Sequence, residues 1–207
     1  MSGPTTSPNA PKEVLEEVSR EYEQILVIPD HIQSPQWMLM PVGMIGAGKT
    51  TVVKPLAEHF GLIRISTDEI RERLKLRGYG YEGAREISNA LAQKYLSRGY
   101  SLAIDANTGS QFGIEHNKKN REMFPHVRYV FIHINPPEEY IINKLKNYTH
   151  TWLFADGEHA VENFRTHKEK YVLPDVPFAY TFDPSRDDLP EQLKEGIRAI
   201  ENALRTA

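Results

Sequence analysis

Gly43-Met44-Ile45-Gly46-Ala47-Gly48-Lys49-Thr50 matches the pattern G-x-x-x-x-G-K-[ST]. The glycines allow backbone torsions that a Cβ would block, so successive backbone N–H groups can point inward and hold phosphate oxygens. In such a loop the lysine reaches the β- and γ-phosphates, and the threonine hydroxyl can ligate magnesium. We therefore expect ATP and Mg²⁺ here. The predicted nucleotide-binding residues are Gly43, Ile45, Gly46, Ala47, Gly48, Lys49, Thr50 and Thr51.

The residues on either side of this motif favour the same interpretation. The apolar run 37–42 predicts a buried parallel strand, and residues 48–60 predict a helix that ends at Gly61. The positive end of that helix would face the phosphates. A glycine turn with a surface lysine is the alternative, and it is disfavoured because the motif lies between a predicted strand and a predicted helix.

The rest of the chain continues the alternation of strands and helices. Such alternation is typical of parallel strands joined by crossover helices. The predicted fold class is therefore α/β, a three-layer P-loop nucleoside triphosphate hydrolase/kinase fold with a parallel sheet of about five strands flanked by helices. The predicted strands are 37–42, 62–65, 101–105, 127–134 and 178–182.

Composition narrows the class of protein. The chain has 207 residues, a formal net charge of −3 and no cysteine. Disulfides, thiolate catalysis and cysteine-based zinc sites are thereby excluded. The net charge argues against a bulk electrostatic grip on nucleic acid, although a local basic groove remains possible. The sequence has no apolar run long enough to span a membrane and no signal peptide pattern. We therefore expect a cytoplasmic protein that binds neither a membrane nor an obligate protein partner.

Two carboxylates are candidates for the chemistry. Asp68 follows the second predicted strand in the first turn of a helix, and Arg71 lies on the same helical face. Asp68 could accept a proton, while Arg71 contacts a phosphate or holds the carboxylate. Asp105 ends the third predicted strand, where an acid can orient magnesium, and Asn107 follows it. The structural alternatives are a helix cap for Asp68 and a strand-end turn for Asp105.

Three sequence elements together resemble a known family. They are Gly-x-x-Gly-x-Gly-Lys-Thr at 43–50, Ser66-Thr67-Asp68-Glu69-Ile70-Arg71, and Ile104-Asp105-Ala106-Asn107. They are similar to those of the P-loop kinases related to the bacteriophage polynucleotide kinase, an AAA-type ATP-binding kinase domain. Zeta toxins and small-molecule phosphotransferases are close kin of that family. The resemblance extends over roughly residues 37–182.

The resemblance implies roles for the residues that match. Lys49, Asp68 and Arg71 would be catalytic, with Asp68 as the general base and Arg71 assisting acceptor binding. Thr50 and Asp105 would serve the metal. Composition and periodicity predict a disordered segment at 1–11 and a helix and linker at 12–36, ahead of a kinase domain at 37–207 with a lid region at about 143–170.

Two departures from the family pattern concern the lid and the acceptor. The family's lid arginines are replaced by Lys144 and Tyr148, and Arg165 is the candidate for the missing group. Lysine supplies a point charge in place of a bidentate fork. An arginine expected some eight residues after Asp105 is also absent, since Phe112 and Gly113 stand there. The residues predicted to contact the acceptor or to form the lid are therefore Asn107, Lys144 and Arg165.

Three functions stay open at this point. The first is an ATP-dependent kinase acting on a hydroxyl acceptor, such as a polynucleotide 5′-hydroxyl or a nucleotide. The second is a zeta-toxin-like kinase of a small molecule or sugar nucleotide. The third is an ATP-binding regulatory module with weak hydrolysis, and the loss of the family's lid arginines is the feature that suggests it. The acceptor is not given by fold-level similarity.

Overall fold

The computed structural model describes residues 7–147 and 153–206. Within these residues, helices and strands alternate along almost the whole chain. The helices are α1 Lys12–Gln24, α2 Lys49–Phe60, α3 Thr67–Leu76, α4 Ala84–Leu96, α5 Gln111–Met123, α6 Glu138–Lys146, α7 Gly157–Glu169 and α8 Leu189–Thr206. The strands are β1 Trp37–Val42, β2 Ile63–Ser66, β3 Leu102–Asp105, β4 Arg128–Ile134 and β5 Phe178–Phe182.

The described strands form a five-stranded sheet in the order β2-β3-β1-β4-β5, and all neighbouring pairs are parallel. All six residues of β1 are buried, which explains why this strand is an unbroken apolar run. One core cluster packs α2, α6, α7 and α8 on one face, and another packs α1, α3 and α4 on the opposite face. The predicted α/β fold is confirmed.

Helix α1 lies outside the alternating series and packs on α3 and α4. Val18 and Tyr22 are fully buried there, because burying its apolar stripe stabilises a surface helix. The Tyr22 hydroxyl accepts a hydrogen bond from the Ser66 N–H at 2.7 Å, at the point where α3 begins. Ion pairs from Glu21 to Arg77 and from Glu23 to a lysine on α4 hold the same contact. The helix therefore braces the segment that carries Asp68.

Part of the predicted domain organisation falls on residues 1–6 and on Tyr148, which lie outside the described residues. Next to the first of these, the Pro8 carbonyl accepts a hydrogen bond from the Gly80 N–H at 2.8 Å. The domain boundaries stay predictions. Among the described helices, none combines the length and apolar character required to cross a lipid bilayer.

The sheet brings the candidate residues to its carboxyl edge. Ser66 at the end of β2 is in register with Asp105 at the end of β3. The loop after β3 is tied to β1, because the Thr108 N–H and hydroxyl both donate to the Pro41 carbonyl, at 3.0 and 2.6 Å. Since carboxyl ends of parallel strands share an edge, the glycine-rich loop after β1 lies next to the end of β3, on the side away from β2.

Candidate active site

The glycine-rich loop needs glycine for steric reasons at three positions. Gly46 and Gly48 have φ values of 77° and 90°, which L side chains rarely adopt. A Cβ on Gly43 would lie 2.7 Å from the carbonyl oxygen of Ile134 on β4, too close for backbone atoms to tolerate. The loop is thus a narrow backbone turn pressed against the sheet.

Lys49 folds back over this loop from the first turn of α2. Its Nζ donates to the carbonyl oxygens of Gly43 and Met44, at 3.2 and 2.9 Å. Burial lowers the pKa of Lys49, while the charges of Asp68 and Asp105 act to raise it. The ammonium therefore lies within the electrostatic reach of both candidate carboxylates. Phosphate oxygens in the loop would supply further negative charge and favour the protonated lysine.

Thr50 and Asp105 meet beside the loop. The Thr50 hydroxyl donates to Asp105 Oδ1 at 3.2 Å, and the side chain of Asp105 is only 2% exposed. Burial raises the pKa of this carboxyl, opposed by the nearby Arg64, by the threonine hydroxyl and by Lys49. Hydroxyl and carboxylate oxygens are the donors that Mg²⁺ prefers. These two residues therefore fit a magnesium site at the loop.

Asp68 and Arg71 form an ion pair in the first turn of α3. Arg71 Nη1 lies 2.8 Å from Asp68 Oδ1, and the aspartate side chain is 56% exposed. The guanidinium also lies over the Tyr81 ring, 5.4 Å from its centroid. Of the two roles open to Arg71, the geometry matches holding the carboxylate. More than half of the Asp68 side chain remains exposed at this edge of the sheet.

Asn107 and Lys144 both border the loop, whereas Arg165 does not contact it. Asn107 Oδ1 accepts hydrogen bonds from the N–H of Gly43 at 3.5 Å and from another backbone N–H of its own turn at 3.2 Å. Lys144 Nζ lies 3.6 Å from where a Cβ on Gly48 would be. Arg165 is exposed on α7, and no hydrogen bond or ion pair joins it to another described residue.

Arg64 on β2 belongs to the site and was missed from the sequence. Its Nε donates to Asp105 Oδ2 at 3.1 Å, and its Nη atoms contact Glu69. A signal was present, because the arginine stands between the apolar residues Ile63 and Ile65 in a predicted strand. A charge in such a place requires a partner. The sequence did not indicate which acid would be that partner, because it did not specify the order of the strands in the sheet.

This site has a glycine-rich loop between a central parallel strand and a helix, and an acid at the end of the strand that neighbours it in the sheet. These features define a P-loop nucleotide-binding protein. Residues 38–153 match the protein family described as an AAA domain, and the chain belongs to this family. The match confirms the resemblance to a P-loop kinase domain that the sequence motifs indicated. No curated protein matches the chain.

Solved structures with the same fold include kinases. A chain of the PezAT chromosomal toxin–antitoxin system of Streptococcus pneumoniae is 17% identical, with a TM-score of 0.57, and the alignment covers 96% of this chain and 98% of that one. The APS kinase of Mycobacterium tuberculosis is 17% identical, with a TM-score of 0.53 and coverages of 80% and 98%. A gluconokinase from Sinorhizobium meliloti 1021 is 18% identical, with a TM-score of 0.54 and coverages of 82% and 93%. At these identities the likeness shows a shared fold.

Proposed function

We propose that this chain is an ATP-dependent kinase that transfers the γ-phosphoryl group to a hydroxyl of a small molecule. The proposal rests on one observation: Lys49 Nζ lies over the glycine-rich loop, and the next residue, Thr50, donates to the buried Asp105 carboxylate. Phosphoryl transfer needs a cation at the phosphates, an acid for the metal and a carboxylate at the acceptor. This edge of the sheet offers all three.

The proposed reaction assigns one task to each group. Backbone N–H groups of the loop and Lys49 hold the phosphates of ATP. Thr50 and Asp105 would hold magnesium, which would supply positive charge to the phosphoryl oxygens of ATP. Asp68 accepts the proton of the acceptor hydroxyl while the oxygen bonds to the γ-phosphorus. The bond from that phosphorus to the β–γ bridging oxygen breaks, and ADP leaves.

A small-molecule acceptor is favoured over a polynucleotide end. The net charge of −3 provides little bulk attraction for a polyanion. The solved structures of the same fold include an APS kinase and a gluconokinase. These likenesses support the zeta-toxin-like or sugar-nucleotide alternative over the polynucleotide 5′-hydroxyl.

A purely regulatory ATP-binding module is the other candidate, prompted by the altered lid. Against it stands Lys144, whose Nζ borders the loop at Gly48 and can offer a cation to the phosphates. The accessible Asp68 carboxylate, held by its arginine, also has no evident task in a module that only binds ATP.

Acceptor-dependent release of ADP tests the proposal. The panel contains monosaccharides, nucleotide sugars, nucleosides and an oligonucleotide with a 5′-hydroxyl. We expect one class of small molecule to raise ADP release above the acceptor-free rate, with little dependence on salt. Preference for the oligonucleotide, with an affinity that falls steeply with salt, would establish the polynucleotide function instead. Background rates with all acceptors, together with stabilisation by ATP, would establish the regulatory module.

Asp68→Asn provides the mechanistic arm of this experiment. We expect turnover to fall about 10²-fold or more, the scale of a general base, with ATP affinity kept. Glu72→Gln is the matched control, since it removes a charge from the same helix four residues on. Equal losses in the two variants would show that Asp68 acts only as one of the negative charges of the helix.

A further inference from the structure

We propose that Arg64 is a positioning residue that orients the Asp105 carboxylate toward Thr50 and so sets the affinity for magnesium-bound ATP. The inference rests on the proposed nucleotide site. It adds a residue on strand β2 to the parts that decide how magnesium is held. Arg64 itself contacts neither the loop nor α2 by any hydrogen bond seen among the described residues, so it would act through Asp105.

The position of Arg64 in the sheet explains how it reaches the acid. Ile63 and Ile65 are fully buried on the opposite face of the sheet, and period-two alternation turns Arg64 toward the α2 face. Arg64 is in register with Ala103, two residues before Asp105 on the neighbouring strand. Its long side chain therefore runs along the sheet edge to the carboxylate, and only 18% of it is exposed.

The guanidinium divides its donors between two acids. Nε donates to Asp105 Oδ2 at 3.1 Å, while the Nη atoms contact Glu69 Oε1 at 2.8 and 2.5 Å. Glu69 is itself held at the start of α3, where its N–H donates to the Ser66 hydroxyl at 3.4 Å. The arginine is thus fixed at both ends, by one acid on β3 and by another on α3. Only a planar fork with donors in two directions can do this.

The two oxygens of Asp105 consequently have different partners. Oδ2 is taken by Arg64, and Oδ1 faces the Thr50 hydroxyl at 3.2 Å. Partial rotation of the carboxylate about its terminal torsion would turn Oδ1 away from the Thr50 hydroxyl, since that torsion is broad in aspartate. The bond to Arg64 opposes this rotation. Magnesium would then meet an acid that already presents one oxygen beside its threonine ligand.

Arg64→Met tests the inference, because methionine retains much of the apolar stem and removes the donors. The measurement is the dissociation constant of ATP by calorimetry, with Mg²⁺ and with EDTA. We expect the gain in affinity due to Mg²⁺ to fall about 10- to 100-fold, the usual effect of removing a partner of a metal-binding side chain. The affinity in EDTA should be unchanged. Arg64→Lys should restore part of the gain, since one donor can still reach Asp105.

Arg77→Met is the matched control. Arg77 also lies beside α3 and contacts both carboxylate oxygens of Glu21 at 2.5 Å, far along the chain from the loop. We expect this variant to lose stability and to keep the Mg²⁺-dependent gain. A purely structural role for Arg64 would make the two variants alike once both are compared at equal fractions folded.

A double variant separates action through Asp105 from any other route. In an Asp105→Asn background, Arg64→Met should cause no further loss of the Mg²⁺-dependent gain. A full additional loss there, or an unchanged gain in Arg64→Met alone, would overturn the inference. If the unaltered chain shows no gain from Mg²⁺, the proposed function fails first, and the two failures are thereby distinguished.

Discussion

Replacing Gly46 by alanine should disable the glycine-rich loop by two separable effects. Gly46 has a φ of 77°, and a Cβ there would lie 3.0 Å from Ile141 Cγ2 and from Leu145 Cγ on α6. Gly78 offers a matched control, because its φ is 80° and a Cβ there would meet nothing within 4 Å. The control therefore carries the backbone strain without the steric contact.

The magnitudes follow from these contacts. A left-handed alanine costs roughly 1–2 kcal/mol, partly offset by about 0.4–1 kcal/mol from the stiffer unfolded chain, so Gly78→Ala should cost about 1 kcal/mol. Gly46→Ala adds about 1–3 kcal/mol for overpacking against two buried side chains, giving about 2–4 kcal/mol. At about 2–4 °C per kcal/mol, the melting temperature should fall about 2–4 °C for Gly78→Ala and about 4–16 °C for Gly46→Ala.

Urea and thermal unfolding, each with and without ATP and Mg²⁺, measure both effects. Gly78→Ala should keep the full ATP-dependent rise in melting temperature. Gly46→Ala should lose most of that rise, because relief of the contact with α6 displaces the loop that holds the phosphates. The reasoning is refuted if the two variants are equally stable and are stabilised equally by ATP.

Three further changes test the packing and charges around the site. Tyr22→Phe leaves the buried Ser66 N–H without its acceptor, so the free energy of unfolding in urea should fall by about 1–3 kcal/mol. The pKa of Glu23 is lowered, chiefly by its lysine partner, so its stabilisation is present above its ordinary pKa and is lost as pH falls through the lowered value. Glu23→Gln should therefore flatten the loss of stability measured below about pH 5. Lys144→Met should weaken ATP binding in calorimetry about tenfold, the scale of one charge-assisted hydrogen bond, and Arg165→Met should leave it unchanged.

Each of these has a contradicting result. Unchanged unfolding in Tyr22→Phe would mean that α1 does not brace α3 through this bond. A pH profile of Glu23→Gln that parallels the unaltered chain would assign the acid loss of stability to other carboxylates. Equal effects of the two lid variants would place Lys144 outside the nucleotide site.

The fold was predictable from sequence because local and global signals agree. The all-apolar run of β1 and the glycine before α2 predicted both elements within about a residue of their ends. Asp68 was expected in the first turn of a helix and lies in the first turn of α3, which Ser66 caps through the Glu69 N–H. The parallel sheet followed from alternation of strands and helices. The order of the strands in the sheet was not predictable in the same way. It depends on which face of the sheet each crossover helix covers.

The site was predictable only where a motif spans neighbouring residues. The loop, Asp68 and Asp105 each follow a strand, so the shared sheet edge brings them together. The partner of Asp105 is 41 residues away at Arg64, and no local spacing encodes that contact. Arg165 was chosen to replace a lid arginine by its position in the sequence. Its exposure on α7 depends on how that helix packs, which periodicity does not specify.

Calorimetric titration of ATP with Mg²⁺ into the unaltered chain and into Lys49→Ala is the most direct test of the nucleotide site. Lys49 Nζ is already held over the loop by the Gly43 and Met44 carbonyls, where phosphate oxygens would replace them. We predict saturable one-to-one binding to the unaltered chain and its loss in a folded Lys49→Ala variant. Binding of equal affinity to both, or to neither, would contradict the assignment of the loop.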